Sequence, residues 1–191
     1  MLLSEILLLS KTMGVKNPDI ILRALEPTDI DFLYEWENDQ KIWHVSNTLV
    51  PFSKYILKQY IANSHKDIFE TKQLRFMIDI LATGHQQRSV GTIDLFDFEP
   101  FHLRAGIGIL IARESDRGKG YATEALNRLI EYAFKTLNLH QLYANITTDN
   151  HASLKLFQKA GFEISGIKKH WIRNSQGFTD EALLQLLNKS S

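Results

Sequence analysis

The chain has 191 residues, of which 44% are hydrophobic and 23% are charged, which predicts one globular domain with its own core. Its 22 basic and 22 acidic residues cancel, so we expect no basic surface for nucleic acid. With no cysteine, disulfides and cysteine-ligated metals are excluded. The seven histidines lack metal-site spacing, so we also expect no metal.

The first residues are rich in leucine but do not fit a targeting segment. Glu5 interrupts residues 1–9, and no basic residue precedes Lys11, which argues against a secretory signal. The stretch is also too short to span a bilayer. We therefore expect an N-terminal extension over residues 1–18 and a single domain over 19–191, in the cytoplasm and without membrane attachment.

The first half of the domain combines acidic and aromatic residues near the end of a predicted helix. Glu35, Trp36 and Trp43 would suit a cationic amine through charge and cation–π contact. The alternative places Trp36 in the core and leaves the acids solvated. The elements predicted here are strand Ile20–Leu25, helices Pro27–Asn38 and Ser53–Asn63, and strands Leu74–Ile80 and Val90–Phe98.

A glycine-rich turn between a strand and a helix is the most informative segment. The apolar run Ile107–Ala112 predicts a buried strand, and Ala122–Leu137 has the periodicity of a helix with one apolar face. The turn between them contains Arg117, Gly118, Lys119 and Gly120. The first amides of a helix lack internal partners and favour anions. A phosphorylated cofactor is predicted here; the alternative is an ordinary solvated loop.

Two nucleotide-binding motifs do not fit this turn. A Walker loop ends in Gly-Lys-Ser/Thr, whereas Lys119 is followed by Gly120 and Tyr121, and the dinucleotide fingerprint needs a third glycine. Further on, we predict strand Leu142–Ile146 and a helix that Asn150 caps and Gly161 ends.

Two segments resemble those of a known family. Arg117–Ala122 is similar to the Arg/Gln-x-x-Gly-x-Gly/Ala signature of the GNAT N-acetyltransferases, and 149–162 resembles their Asn-x-x-Ser/Ala and Lys/Arg-x-Gly-Phe segment. The likeness covers roughly 20–187, nearest to the ribosomal-protein and spermidine branch. It implies an α/β (α+β) fold with a mixed, mostly antiparallel sheet of about seven strands and about four helices. It also implies a closing hairpin, Phe162–Arg173 and Phe178–Leu187, although Asp180–Leu187 has helical propensity.

The resemblance implies acetyl-CoA as the acetyl donor and a set of residues that bind it. In this family a backbone amide of the central strand, here near Leu110, would polarise the thioester, and Asn150 would hold the pantetheine arm. The implied donor site comprises Ile109, Leu110, Ile111, Arg117, Gly118, Lys119, Gly120, Tyr121, Ala122, Thr123, Asn150, Ser153, Phe157 and Lys159.

Two positions depart from the family pattern. Gly106 stands where many relatives carry a glutamate base, and Phe157 stands where many carry a tyrosine that protonates the leaving thiolate. Asp94 is our first candidate for the base, and Ser153 has a supporting role at the leaving group. The other candidate bases are Asp97, Glu99, His102 and Glu114.

The predicted function is direct transfer of an acetyl group to a primary amine of a protein N-terminus, a polyamine or another small molecule. The alternative is a catalytically weak acyl-CoA-binding sensor or interaction module, which Gly106 and Phe157 favour. The sequence leaves the acceptor and the oligomeric state open, and a dimer is compatible with it.

Overall fold

The structure, a computed structural model, describes residues 19–43, 48–81, 87–174 and 176–189. Within them, one seven-stranded sheet has the order β1-β2-β3-β4-β5-β7-β6. The strands are β1 Ile20–Arg23, β2 Leu74–Leu81, β3 Gln87–Glu99, β4 Arg104–Ile111, β5 Gln141–Thr147, β6 Glu163–Asn174 and β7 Gly177–Leu187. The helices are α1 Ile30–Glu37, α2 Lys54–Asn63, α3 Ile68–Thr71, α4 Tyr121–Lys135 and α5 His151–Lys159, with 3₁₀ turns at Pro27–Asp29 and Glu114–Asp116.

Helices cover both faces of the sheet and create two cores. On one face, α4 and α5 bury Leu126, Leu129 and Phe157 against the strands. On the other face, α1 and α2 pack Leu33 and Leu57 in a second cluster. This mixed architecture confirms the predicted fold class, and the short helix α3 is an element that the sequence analysis missed.

The two central strands separate, and this separation positions the site. β4 and β5 are the parallel pair in the sheet, and their pairing stops at Gly106 opposite Tyr143. β4 nevertheless continues to pair with β3 as far as Ile111. The last five residues of β4, 107–111, therefore have a hydrogen-bonded neighbour on one side and an open gap on the other.

The closing hairpin is β-structure, as predicted, despite the helical propensity of its second strand. β7 pairs with β5 on one side and with β6 on the other. Ala182 and Leu184 on β7 are fully buried in the larger core. Pairing on two sides and this burial outweigh a helix preference of a few tenths of a kcal/mol per residue.

A buried ion cluster fixes the start of α1 to the sheet. The Arg23 guanidinium bonds both Asp29, at the N-cap of α1, and Asp79 on β2. Burial alone would raise the pKa of Asp29, but hydrogen bonds from Arg23 and from the Glu26 amide hold that pKa below its ordinary value. The carboxylate therefore stays charged, and α1 is held rigidly over β1 and β2.

Some predictions fall on parts of the chain that are not described. The expected extension over residues 1–18 and most of the turn between β2 and β3 lie outside the described residues. No helix of the described part is long and apolar enough to cross a membrane.

Candidate active site

A cleft of about 1300 Å³ opens where β4 and β5 separate. Its walls are the end of β4, the glycine loop 113–120, the first turns of α4 and α5, and the C-terminal end of α1. The predicted donor residues that line it are Ile109, Leu110, Ile111, Arg117, Gly118, Gly120, Tyr121, Ala122, Thr123, Asn150, Ser153 and Lys159. The tertiary fold thus brings three distant segments of the chain to one surface.

The glycine loop has the backbone conformation that its residues allow. Gly118 and Gly120 both have positive φ angles, 74° and 85°. Gly120 is the N-cap of α4 and has no side chain to cap the helix. The first amides of α4 thus lack a side-chain partner from the cap residue and border the cleft, where the positive end of the helix dipole favours an anion.

Arg117 holds the loop rather than offering a free charge. Its Nε donates to the carbonyl oxygen of Ile111 at 3.2 Å, and its Nη2 lies 3.4 Å from the carbonyl oxygen of Ala112. Ile111 is the last residue of β4 and Ala112 follows it, so the arginine ties the loop back to the strand that leads into it. Lys119, the other predicted cation, does not line the cleft; its Nζ is 3.7 Å from Asp116.

Along β4, successive backbone N–H groups point to opposite sides of the strand, and this decides which of them can face the gap. Ala112 donates its N–H to β3, and in an antiparallel pair every second residue bonds to the same neighbour. The N–H of Leu110 therefore points toward β3, and the backbone of Ile109 and Ile111 faces the gap. The bond from Arg117 to the Ile111 carbonyl agrees with this orientation. The Leu110 amide, expected near the thioester, is therefore directed into the sheet, whereas the amides of Ile109 and Ile111 are directed into the gap.

At the start of α5, Asn150 acts as the helix cap. Its side-chain oxygen accepts from the Ser153 amide at 3.1 Å, while Asn150 and Ser153 both line the cleft. Phe157, expected to contact the donor, instead points into the core: it is 3% exposed and its ring centroid lies 5.0 Å from that of Phe162. The apolar stripe of α5 faces the sheet, so this bulky ring is buried there.

Asp94, our first candidate base, is engaged in an ion cluster. Both of its oxygens accept hydrogen bonds from Arg75, which also binds Glu37 and lies 5.3 Å from the Tyr60 ring. Burial alone would lower the pKa of Arg75, but Asp94 raises it above its ordinary value. Burial also raises the pKa of Tyr60 to about 12. With both oxygens bound to a permanent cation, Asp94 is poorly placed to accept a proton.

An aromatic pair explains the glycine at position 106. A Cβ atom on Gly106 would lie 2.4 Å from the Phe96 ring, so a larger side chain cannot fit without displacing that ring. Phe96 packs edge-to-face on Tyr143, with ring centroids 5.9 Å apart. The Tyr143 hydroxyl donates to Asp97 at 3.2 Å, and burial raises its pKa to about 12. Sequence analysis missed Phe96 and Tyr143 because their contact depends on strand register.

The other candidate residues divide between cleft, core and outer surface. Glu35 and Trp36 line the cleft, whereas Trp43 lies outside it and donates from Nε1 to the Glu37 carbonyl oxygen at 3.0 Å. Trp36 is 5% exposed and packs on Phe32, so it is chiefly a core residue.

Among the alternative bases, Glu114 lines the cleft, and Asp97, Glu99 and His102 do not. Asp39, which the sequence analysis did not select, joins Glu35 in the lining.

The chain matches a known protein family over most of its length. Residues 19–163 match the family described as "Acetyltransferase (GNAT) domain". This chain belongs to the GNAT acetyltransferase family. It is therefore an N-acetyltransferase that transfers an acetyl group to an amine, as the sequence resemblance implied.

Two relatives and one solved structure are similar to this chain over most of its length. The spermidine N(1)-acetyltransferase of Vibrio cholerae is 29% identical over 153 residues, which cover 78% of this chain and 82% of that protein. The uncharacterized N-acetyltransferase p20 of Bacillus licheniformis is 27% identical over 171 residues, covering 89% and 93%. A crystal structure of the Vibrio cholerae spermidine N-acetyltransferase with CoA and spermine superposes with a TM-score of 0.78 at 25% identity, covering 88% of this chain and 95% of that chain.

The burial of Phe157 gives a testable expectation. Phe157→Tyr places a hydroxyl beside Phe162 in the core, where an unpartnered polar group costs about 1–3 kcal/mol. We expect a lower melting temperature with an unchanged KM for acetyl-CoA and unchanged turnover per folded molecule. Phe178→Tyr is the matched control, because Phe178 is 61% exposed and should tolerate the hydroxyl. A rise in kcat at full stability would instead place Phe157 beside the reacting sulfur.

Proposed function

We propose that this enzyme transfers the acetyl group of acetyl-CoA directly to a primary amine of a polyamine or a similarly cationic small molecule. The observation that carries the proposal is a single cleft with two chemically opposite walls. One wall is the amide-rich glycine loop at the start of α4, and the other is the C-terminal end of α1 and the residues after it, where the acids Glu35 and Asp39 outnumber Lys41. The names of the spermidine acetyltransferase relatives support the same substrate class.

The donor side follows from the glycine loop. The left-handed Gly118 and Gly120 turn the chain so that phosphate oxygens can approach the first amides of α4 without a Cβ atom between them. The pantetheine arm would then run along the open edge of β4, past the backbone of Ile109 and Ile111. These two groups replace the expected Leu110 amide as hydrogen-bond donors to the thioester oxygen, where negative charge develops during attack.

The acceptor side follows from the end of α1. Glu35 and Asp39 are four residues apart, both line the cleft, and no ion pair within the described residues neutralises either of them. The carbonyl end of α1 adds partial negative charge at the same place. An ammonium group is therefore favoured at this wall, and Trp36 supplies the adjoining apolar surface.

The chemistry requires the removal of one proton before attack. An alkyl amine with a pKa of about 10 is almost fully protonated at neutral pH, so a base must act, directly or through water. Because Arg75 occupies both oxygens of Asp94, we assign this task to the cleft carboxylates Glu35 and Asp39 acting through water. The departing thiolate, with a thiol pKa of about 8.5, is a fair leaving group without a tyrosine acid.

Release of free CoA from acetyl-CoA with a panel of amines tests the proposal. The panel comprises spermidine, spermine, a monoamine and a peptide with a free N-terminus, each at equal concentration. We expect the polyamines to give the largest kcat/KM. Glu35→Gln should lower kcat with every amine, because Glu35 is one of the two assigned bases, and should raise the KM of the polyamines far more than that of the monoamine. Turnover with the peptide alone would move the acceptor to a protein N-terminus.

A binding measurement separates the enzyme from the sensor alternative. Acetyl-CoA should stabilise the fold by about 2.7 kcal/mol at a hundredfold excess over Kd, because it binds only the folded state. Stabilisation without CoA release for any amine would favour the sensor. An unchanged melting temperature at saturating acetyl-CoA would contradict the donor assignment itself.

A further inference from the structure

A buried carboxylate lies in the glycine loop and borders the cleft. Asp116 is 3% exposed and lines the cleft two residues before Gly118. Arg88, on β3, donates from Nη1 and Nη2 to both of its oxygens, at 2.7 and 2.8 Å. This ion pair joins the loop to a strand that is not adjacent to it in sequence.

A carboxylate in this place opposes anion binding unless a cation neutralises it. Like charges a few ångströms apart repel strongly wherever water is partly excluded. Hydrogen bonds from Arg88 hold the pKa of Asp116 below its ordinary value, so the group keeps its charge and protonation cannot remove the repulsion. The Arg88 guanidinium supplies the compensating charge.

The ion pair between Arg88 and Asp116 also affects Lys119. Its Nζ lies 3.7 Å from Asp116, and its side chain is 52% exposed next to the loop glycines. With Arg88 bound to both oxygens of Asp116, the lysine retains the freedom to swing toward a phosphate. Without Arg88, Asp116 would become the preferred partner of Lys119, and the loop would lose that cation as well.

We propose that Arg88 is a positioning residue for the donor: it fixes Asp116 and cancels its charge, so that the pyrophosphate of acetyl-CoA can bind at the glycine loop. The inference rests on the proposed function and adds to it a residue outside the cleft. Arg88 does not line the cleft and therefore acts through Asp116.

The test compares two acetyl donors that differ in their phosphates. In Arg88→Met, the Kd and KM for acetyl-CoA should rise about tenfold or more, because the carboxylate is left unpaired. The KM for S-acetylpantetheine, which carries no phosphate, and kcat at saturation should stay within about twofold. Lys135→Met is the control: it removes the same charge at the far end of α4, where Lys135 pairs with Glu131 at the surface.

A double variant separates charge compensation from loop folding. Arg88→Met combined with Asp116→Asn removes the carboxylate together with its partner, so its acetyl-CoA affinity should return to within about threefold of the wild type. If Arg88→Met fails to fold, the double variant carries the test, and weak acetyl-CoA binding by it would overturn the inference.

Failure of the role of Arg88 and failure of the proposed function give different results. Equal losses with both donors, or no loss with acetyl-CoA in Arg88→Met, would overturn the role of Arg88 while leaving the proposed function intact. A wild-type protein that does not bind acetyl-CoA would overturn both.

Discussion

Gly120→Val is expected to abolish measurable acetyl-CoA binding, a loss of about a hundredfold or more, while the fold survives. Gly120 has φ 85° and ψ −6° as the N-cap of α4, and a β-branched residue is strained there by about 1–3 kcal/mol. The new side chain would also stand between the phosphates and the first amides of the helix. Titration calorimetry with acetyl-CoA measures the loss directly.

A second glycine separates backbone strain from loss of the site. Gly177, at the start of β7, has φ 127°, and a Cβ atom there would meet nothing within 4 Å. Gly177→Val should therefore lose stability from strain while binding acetyl-CoA normally. If Gly120→Val binds acetyl-CoA as tightly as this control does, the glycine loop is not the phosphate site.

Arg75→Met is expected to cause the largest loss of stability among these variants. The substitution removes the cation that pairs with both Glu37 and Asp94, whose side chains are 17% and 15% exposed. Breaking such a largely buried cluster leaves two carboxylates unpaired and costs about 3 kcal/mol. For a chain of this size, the melting temperature should fall by about 6–12 °C.

An exposed ion pair provides the comparison for Arg75. Lys66 pairs with Glu70, four residues later, at the surface, so Lys66→Met should cost less than about 0.5 kcal/mol. Equal effects of the two substitutions would show that the cluster around Arg75 does not stabilise the fold.

The same cluster decides the role of Asp94. Asp94→Asn keeps the shape of the side chain but weakens its bonds to Arg75, so we expect lower stability and turnover per folded molecule within a few-fold of wild type. A fall in kcat of about 10²- to 10⁴-fold at pH 7 would instead identify Asp94 as the general base.

Local features could be predicted because the residues that cause them are neighbours in the chain. Gly118 and Gly120 adopt positive φ angles because glycine has no Cβ atom. The spacing of the apolar residues in α4 can likewise be seen in that segment alone. The Asn150 cap was predicted in the same way, because its partner is the amide three residues later. The sequence resemblance added the mostly antiparallel sheet and its closing hairpin, which local patterns do not contain.

The sequence by itself therefore determined the family, the glycine loop and the helix caps. Only the tertiary structure decided the partners across the sheet: Arg75 opposite Asp94, Phe96 over Gly106, and the direction of the Leu110 amide. It also placed Phe157 in the core. For the partners across the sheet the reason is strand register, since moving a strand by one residue turns every side chain to the opposite face, and register is set by contacts between segments far apart in the chain. For Phe157 the reason is the packing of α5 on the sheet.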